Sequence, residues 1–442
     1  MLRNFAFALF LSFFSCCVNA EAQQCKGSSI EKLENGMSVI FVETSKSDSL
    51  MVVLSVSAGS TDEVDKEGVA NVLSKVLASK YMNNLNGNAL QYGTESNSYA
   101  GYDQSVYYLC GKLENLDAFV KNLGDLFTVS SLNPADVEAT KHLVGQNIDK
   151  EDQSDRTVIK KEARKSMYWH SKYGSSVSGT KDGLKLISKD DVEMFKQKHY
   201  TPNRATIIIA GNVKKEEALK VVNKYFGSTK TKSTINRLKE PDHHGSVTRI
   251  TKTSEQVSVP VIDIYWKVPN YRQDKAIAKA AEIYINHMSE ALQKSLIDEQ
   301  KIAATISFSY SLWNYESGDF CMTITAPNAS IDVDDLITAV LTEIKYIASE
   351  GVAKERADVA SKKLFEASKT NDRDILEVLD IFSRRMGAGH DFNSVRNFST
   401  DNDYSFDEVN KQAKEIFGKE PCVICVTTPR GKAMVNATGG RR

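Results

Sequence analysis

Metal, redox and nucleophilic chemistry all require particular side chains within a few ångströms of one another, and this chain offers few candidates. Its seven histidines are His142, His170, His199, His243, His244, His287 and His390. No two stand four apart with a glutamate between them, the spacing by which one helix face presents two imidazoles to Zn²⁺ and a carboxylate to the metal's water. His243-His244, directly after Asp242, reads as solvated loop. Beyond residue 20 there are five cysteines, Cys25, Cys110, Cys321, Cys422 and Cys425. They are odd in number and widely spread, which does not suit a disulfide scaffold. Cys422-Val423-Ile424-Cys425 has the spacing of a redox or zinc pair but lies in the apolar, β-favouring run from Pro421 to Thr427. Side chains three apart on a strand face opposite ways, so these are expected to be core thiols.

The elements that would carry a site follow from periodicity and turn chemistry. Asn35-Gly36 between Leu33 and the alternating Met37–Val42 predicts a hairpin, with another strand at Leu50–Val56. Val69, Val72, Leu73, Val76 and Leu77 recur at helical spacing across Gly68–Lys80. Two strands are expected in Tyr99–Gly111 and a helix over Leu113–Phe127. Asn133-Pro134 opens the next helix with a cap followed by proline, and Ser188 with Asp191 caps another that runs to His199. A helix over Thr157–Trp169, a strand at Ala205–Ala210 and a helix over Lys214–Phe226 complete the first half. Ser228–Ser246 loses periodicity and reads as the linker. Strand Val259–Val268, helix Asp274–Leu296, strands near Ile302–Tyr310 and Phe320–Ala326, and helices Asp332–Ser349 and Lys354–Ser368 then repeat the order. Trp169, Trp266 and Trp313 read as packing aromatics, and Lys160, Lys161, Arg164 and Lys165 as a solvated basic face.

The 442 residues are 41% hydrophobic and 26% charged with a net charge of -1. That is enough apolar material for two or three domains, and it supplies no field for nucleic acid. Arg3, the apolar run Phe5–Phe14 and Val18-Asn19-Ala20 form an export signal over residues 1–20. No later segment has the roughly 20 apolar residues a membrane-spanning helix needs. The expected locale is exported, periplasmic in a Gram-negative bacterium and otherwise secreted.

Tyr173-Gly174-Ser175-Ser176-Val177-Ser178-Gly179-Thr180, Ile187-Ser188-Lys189-Asp190-Asp191, Tyr200-Thr201-Pro202-Asn203 and Ile209-Ala210-Gly211-Asn212-Val213 together resemble the pitrilysin/insulinase family of zinc peptidases, in the branch that includes mitochondrial processing peptidase. Leu33-Glu34-Asn35-Gly36-Met37, Ser57-Ala58-Gly59-Ser60 and Gly68-Val69-Ala70 agree. The resemblance implies an α+β protein of two homologous α/β-roll domains, each a sheet covered by helices, closing as a clamshell of the metallohydrolase type around extended peptides. The expected layout is a signal peptide at 1–20, an N-terminal peptidase-like domain at 21–230, a linker at 231–247, a C-terminal peptidase-like domain at 248–428 and a disordered tail at 429–442.

Active members of that family carry His-x-x-Glu-His on the helix after the Gly-x-Ala segment, with a distant glutamate as a further ligand. The matching positions here are Asn71, Ser74, Lys75 and Asn147. An amide, a hydroxyl and an ammonium whose ordinary pKa is about 10.4 replace the metal-binding set, so no metal and no catalytic residue are expected. Lys75 is expected to bond Asn71 and Asn147 in place of the ion. The substrate-holding Arg and Tyr of the family fall at Ile297 and Ala304, with Tyr310 nearby, and the glycine-rich loop of the non-catalytic processing-peptidase subunit is absent from Tyr284–Leu292. The resemblance therefore implies a catalytically inactive protein, the partner of a zinc-bearing homologous subunit, with peptides in the shared chamber. The alternatives are a peptide-binding scaffold without a peptidase partner and, last, an active zinc endopeptidase with relocated ligands.

Overall fold

A computed structural model describes residues 25–44, 48–82, 95–231, 247–316, 318–369, 373–396 and 404–430. Residues 1–20, His243-His244, most of the expected linker and residues 431–442 lie outside the described residues.

The first half begins with β1 (Cys25–Lys32), β2 (Ser38–Thr44) and β3 (Ser49–Val56), followed by helix α1 (Val69–Tyr81), then β4 (Glu95–Ala100) and β5 (Ser105–Lys112). Helices α2 (Leu116–Thr128), α3 (Pro134–Asp152), α4 (Asp155–Met167), α5 (Lys181–Leu186) and α6 (Lys189–His199) precede β6 (Ala205–Ala210) and α7 (Lys215–Phe226). The local signals act as chemistry requires. β1 and β2 pair antiparallel around Gly36, whose φ of 90° suits a residue without a Cβ. Asn133 accepts from the Ala135 N–H ahead of Pro134, and Ser188 and Asp191 cap α6 reciprocally.

The second half comprises β7 (Thr248–Ser254), β8 (Val261–Val268), α8 (Lys275–Leu292) continuing into a widened helical turn at Gln293–Glu299, β9 (Thr305–Ser311) and β10 (Gly318–Thr325). Helices α9 (Val333–Glu350), α10 (Lys354–Ser368), α11 (Ile375–Gly387), α12 (Phe392–Arg396) and α13 (Phe406–Gln412) lead to β11 (Val423–Pro429).

Among the described residues the strands form two sheets, ordered β1-β2-β6-β3-β5-β4 and β7-β11-β8-β10-β9. Without β1, the two orders are the same walk through the chain. In each, one pair is parallel, β2 with β6 and β7 with β11, and the remaining neighbours are antiparallel. The repeat implied by the sequence is thus a repeat of topology, an α+β fold in which each sheet is covered by helices.

Each sheet has two covered faces, and the second cover is exchanged. In the first half α1, α2 and α6 bury one face with Val52, Leu54, Tyr107 and Ile207. The other face, with Ile40, Val42, Val53 and Ile208, is buried by Ile375, Val378, Leu379 and Phe382 of α11, from the second half. Reciprocally, Ile159, Ala163 and Met167 of α4 lie on Tyr265, Cys321, Val423 and Cys425 of the second sheet. At about 1.5–3 kcal/mol for each large apolar side chain buried, this exchange binds the halves far more strongly than surface polar contacts do.

Three residues are placed differently from expectation. Trp169 is 64% exposed because α4 ends at Met167 and its ring lies past the packed face. Arg164 belongs to no solvated face: its guanidinium lies over Tyr102 and Tyr168, donates to the Tyr173 carbonyl and reaches Asp319 in the other half. Cys422 precedes β11, half-buried, while Cys425 is buried on it; burial raises the Cys425 thiol to about 12, which makes it unreactive.

Candidate functional site

The helix that carries the family's motif positions is intact. α1 starts at Gly68, whose φ of 96° provides no side-chain cap, so Glu63 substitutes: its Oε2 accepts from the Gly68 N–H at 3.0 Å and its Oε1 from the Ala70 N–H at 2.8 Å. Burial raises the Glu63 carboxyl to about 8; the two amides oppose this, Glu67 adds to it and Lys172 opposes it. A Cβ on Gly68 would meet the Ser178 carbonyl at 3.1 Å and Gly179 Cα at 3.2 Å, so the Tyr173–Thr180 segment lies directly on the start of α1.

Asn71, Ser74 and Lys75 share one stretch of α1 and differ in access. Asn71 and Lys75 are half-buried, whereas Ser74 is 0% exposed. Its hydroxyl faces that of Tyr107, which lies 2.7 Å from the Tyr200 hydroxyl in the core beneath the helix. Lys75 extends sideways and donates to the Ser98 carbonyl of β4 at 2.6 Å, and burial lowers its pKa. The expected bridge from Lys75 to Asn71 and Asn147 is therefore replaced by a bond to the neighbouring strand. Asn147 lies on α3, exposed beside the buried Val144 and Ile148 that pack toward α1.

These side chains do not fit a zinc ion. A neutral amide, a sealed hydroxyl and an ammonium engaged with a carbonyl offer no basic nitrogen or carboxylate, and the fourth group is exposed on a different helix. Among the described residues no three His, Cys, Asp or Glu side chains converge to hold a metal. The histidines serve other ends. His199 is buried beside Asp62 and Arg204, His390 bonds the Trp313 carbonyl at 3.1 Å, and His142 is exposed on α3.

In the second half Ile297 sits in the widened turn after α8 and leans on the core, and Ala304 is exposed with its N–H on the Thr325 carbonyl. Neither offers a polar group to a substrate. Tyr284–Leu292 is the last part of α8, mostly buried, with Glu290 exposed. Tyr310 on β9 faces Glu282, which also accepts from Tyr271; burial raises the Glu282 carboxyl, with Arg385 and Lys279 opposing.

Sequence reasoning missed the polar seam between the halves. Tyr173 donates to Asp103 at 2.6 and 2.7 Å, and the Tyr315 N–H reaches both the Tyr173 hydroxyl (3.0 Å) and Asp103 (3.1 Å). Arg156 pairs with buried Asp263, and Tyr168 donates to Asp319 at 2.8 Å. No local pattern marks these residues, whose partners lie in another part of the chain.

The comparisons with known proteins agree with this architecture. Residues 38–181 match the family described as Insulinase (Peptidase family M16), and residues 186–364 match the Peptidase M16 inactive domain. The chain belongs to the insulinase, or pitrilysin, family of peptidases. The second description refers to a stretch that includes neither Lys75 nor Asn147. Relatives include the probable mitochondrial-processing peptidase subunit beta of Schizosaccharomyces pombe, 25% identical over 54% of this chain and 55% of that protein. Cytochrome b-c1 complex subunit 1 of Bos taurus is 25% identical over 46% of this chain and 43% of that protein. The chain thus spans about half the length of these two relatives. A protease from Helicobacter pylori has the same fold, with a TM-score of 0.76 at 17% identity, covering 92% of this chain and all of that one (100%).

Proposed function

We propose that this chain is a catalytically inactive member of its family that pairs with a zinc-bearing homologous subunit and forms part of the wall of a shared peptide chamber. The observation that carries the reading is the chemistry of α1. The helix, its anchor Glu63 and the packing beneath it are in place, yet the zinc-site positions assigned by the resemblance hold Asn71 and Lys75 for the two histidines, Ser74 for the glutamate that would act on the metal's water, and Asn147 on α3 for the distant ligand. A chamber wall needs shape, and only one of two subunits needs metal. That relatives are named as subunits of larger assemblies supports the pairing. The export signal read in residues 1–20 supports a site outside the cytoplasm, the periplasm in a Gram-negative cell.

The test is to isolate the tagged chain from its own organism and identify what accompanies it, with stoichiometry. A one-to-one homologue carrying His-x-x-Glu-His is the expected companion. A chain that comes alone or with unrelated proteins would overturn the pairing and favour a peptide-binding scaffold, the reading that Ile297 and Ala304 support where the family holds Arg and Tyr.

A further inference from the structure

Among the described residues β4 is the edge strand of the first sheet, and the register of the β4–β5 hairpin determines which of its main-chain groups face away from β5. The Gly101 N–H donates to the Gln104 carbonyl at 2.7 Å, which makes Gly101 and Gln104 a hydrogen-bonded pair. Bonded and non-bonded pairs alternate along an antiparallel ladder. Tyr99–Val106 and Asn97–Tyr108 are therefore bonded pairs, while Ala100–Ser105, Ser98–Tyr107 and Ser96–Leu109 are not. The N–H and C=O of Ser96, Ser98 and Ala100 thus point away from β5, toward the position a further strand would take. An edge with such groups free is a template for an extended peptide.

Ser98, the middle of the three, is closed on both groups. Its carbonyl accepts from Lys75 Nζ at 2.6 Å, and its N–H donates to Asn97 Oδ1 at 2.7 Å. A strand pairing at this edge would have to displace an ammonium–carbonyl hydrogen bond, of the stronger charge-assisted kind, and the hydrogen bond from the Ser98 N–H to the Asn97 side chain as well. Lys75 is half-buried, and its Nζ lies against the strand rather than extended into solvent.

From this geometry we infer that Lys75 and Asn97 seal the β4 edge against strand addition, so this half of the molecule does not hold an extended peptide by main-chain pairing. The inference is independent of the pairing proposed above, because a chain with or without a zinc-bearing companion can have a closed edge.

The probe is a blocked, fluorescein-labelled hexapeptide of alternating Thr and Val, titrated into the full mature chain, its Lys75→Met and Asn97→Ala variants and the double variant. The double variant is expected to bind at least about tenfold tighter than the parent, with the single variants between, and the gain should vanish for a peptide N-methylated at alternate amides. Parent binding as tight as the double variant, or a gain that survives N-methylation, would overturn the inference. Amide exchange on the parent keeps the question open to test if a variant does not fold. The Ser98 amide should be protected, as the Tyr99 amide is by its ladder bond; exchange of Ser98 at the rate of an unstructured chain would contradict the seal.

Discussion

Arg156 pairs with the carboxylate of Asp263, one residue from each half of the molecule: its Nη2 donates to Oδ1 at 3.0 Å, and Nη1 lies in ion-pair contact with Oδ2 at 2.9 Å without a hydrogen bond. Asp263 is 0% exposed and also accepts from Thr323. A charge-assisted hydrogen bond to a buried carboxylate ties α4 to the second sheet at this point. Arg156→Ala should destabilise the chain by about 3 kcal/mol, because it leaves a buried carboxylate without its counter-charge. Arg156→Met with Asp263→Leu should recover most of that loss. Urea denaturation of the parent and the two variants checks both statements.

The start of α1 gives a second prediction. Gly68 holds a φ of 96° against Ser178 and Gly179, so Gly68→Ala combines left-handed backbone strain with a close contact. The expected cost is about 2 kcal/mol, read as a lower melting temperature, whereas the same change at the exposed Ser79 should be neutral or stabilising.

Stability should also fall with acid through His390. Burial pushes its pKa down to about 4, with Arg385 and Arg272 adding to the effect and the Trp313 carbonyl and Asp391 opposing it. The unfolded chain, where this histidine titrates near 6.5, then binds the extra proton first. The stabilisation is complete above about pH 6.5 and lost as pH falls toward 4, by roughly 3 kcal/mol over the whole window. In His390→Gln, which keeps a donor for the Trp313 carbonyl, the slope of stability against pH between 4.5 and 6.5 should decrease by close to one proton; an unchanged slope would assign it to other groups.

If Asn71, Lys75 and Asn147 are the places of lost metal ligands and Ser74 that of the glutamate beside them, restoring the set should restore the site. The quadruple variant Asn71→His, Ser74→Glu, Lys75→His, Asn147→Glu is expected to take up stoichiometric zinc. Variants that keep Lys75 should not, since its ammonium repels the ion. Retained zinc after dialysis, measured by atomic emission, decides the matter.

Much of this fold is legible in the sequence where the signal is local. Asn35-Gly36, Asn133-Pro134 and the Ser188 cap each specify a turn or a helix start through bonds spanning a few residues. The elements that were missed are those whose role is set from afar. β7, Thr-Arg-Ile-Thr-Lys-Thr-Ser, is an edge strand with alternate residues exposed, so its polar composition gives no apolar strand signal. α11 has a clear apolar face, but nothing in Ile375–Gly387 says that this face covers the sheet of the other half. The same holds at the site. The residue types at Asn71, Ser74 and Lys75 could be read directly, while the Lys75 bond to Ser98 depends on where β4 returns beneath α1 after residues 83–94.

The central claim, that this chain is the inactive partner in its family, is tested most directly by measuring zinc bound per chain in the purified protein together with chelator-sensitive cleavage of an unfolded polypeptide. The account predicts far less than one zinc per chain after dialysis and no cleavage above background. Stoichiometric zinc with cleavage abolished by chelator and restored by zinc would contradict it.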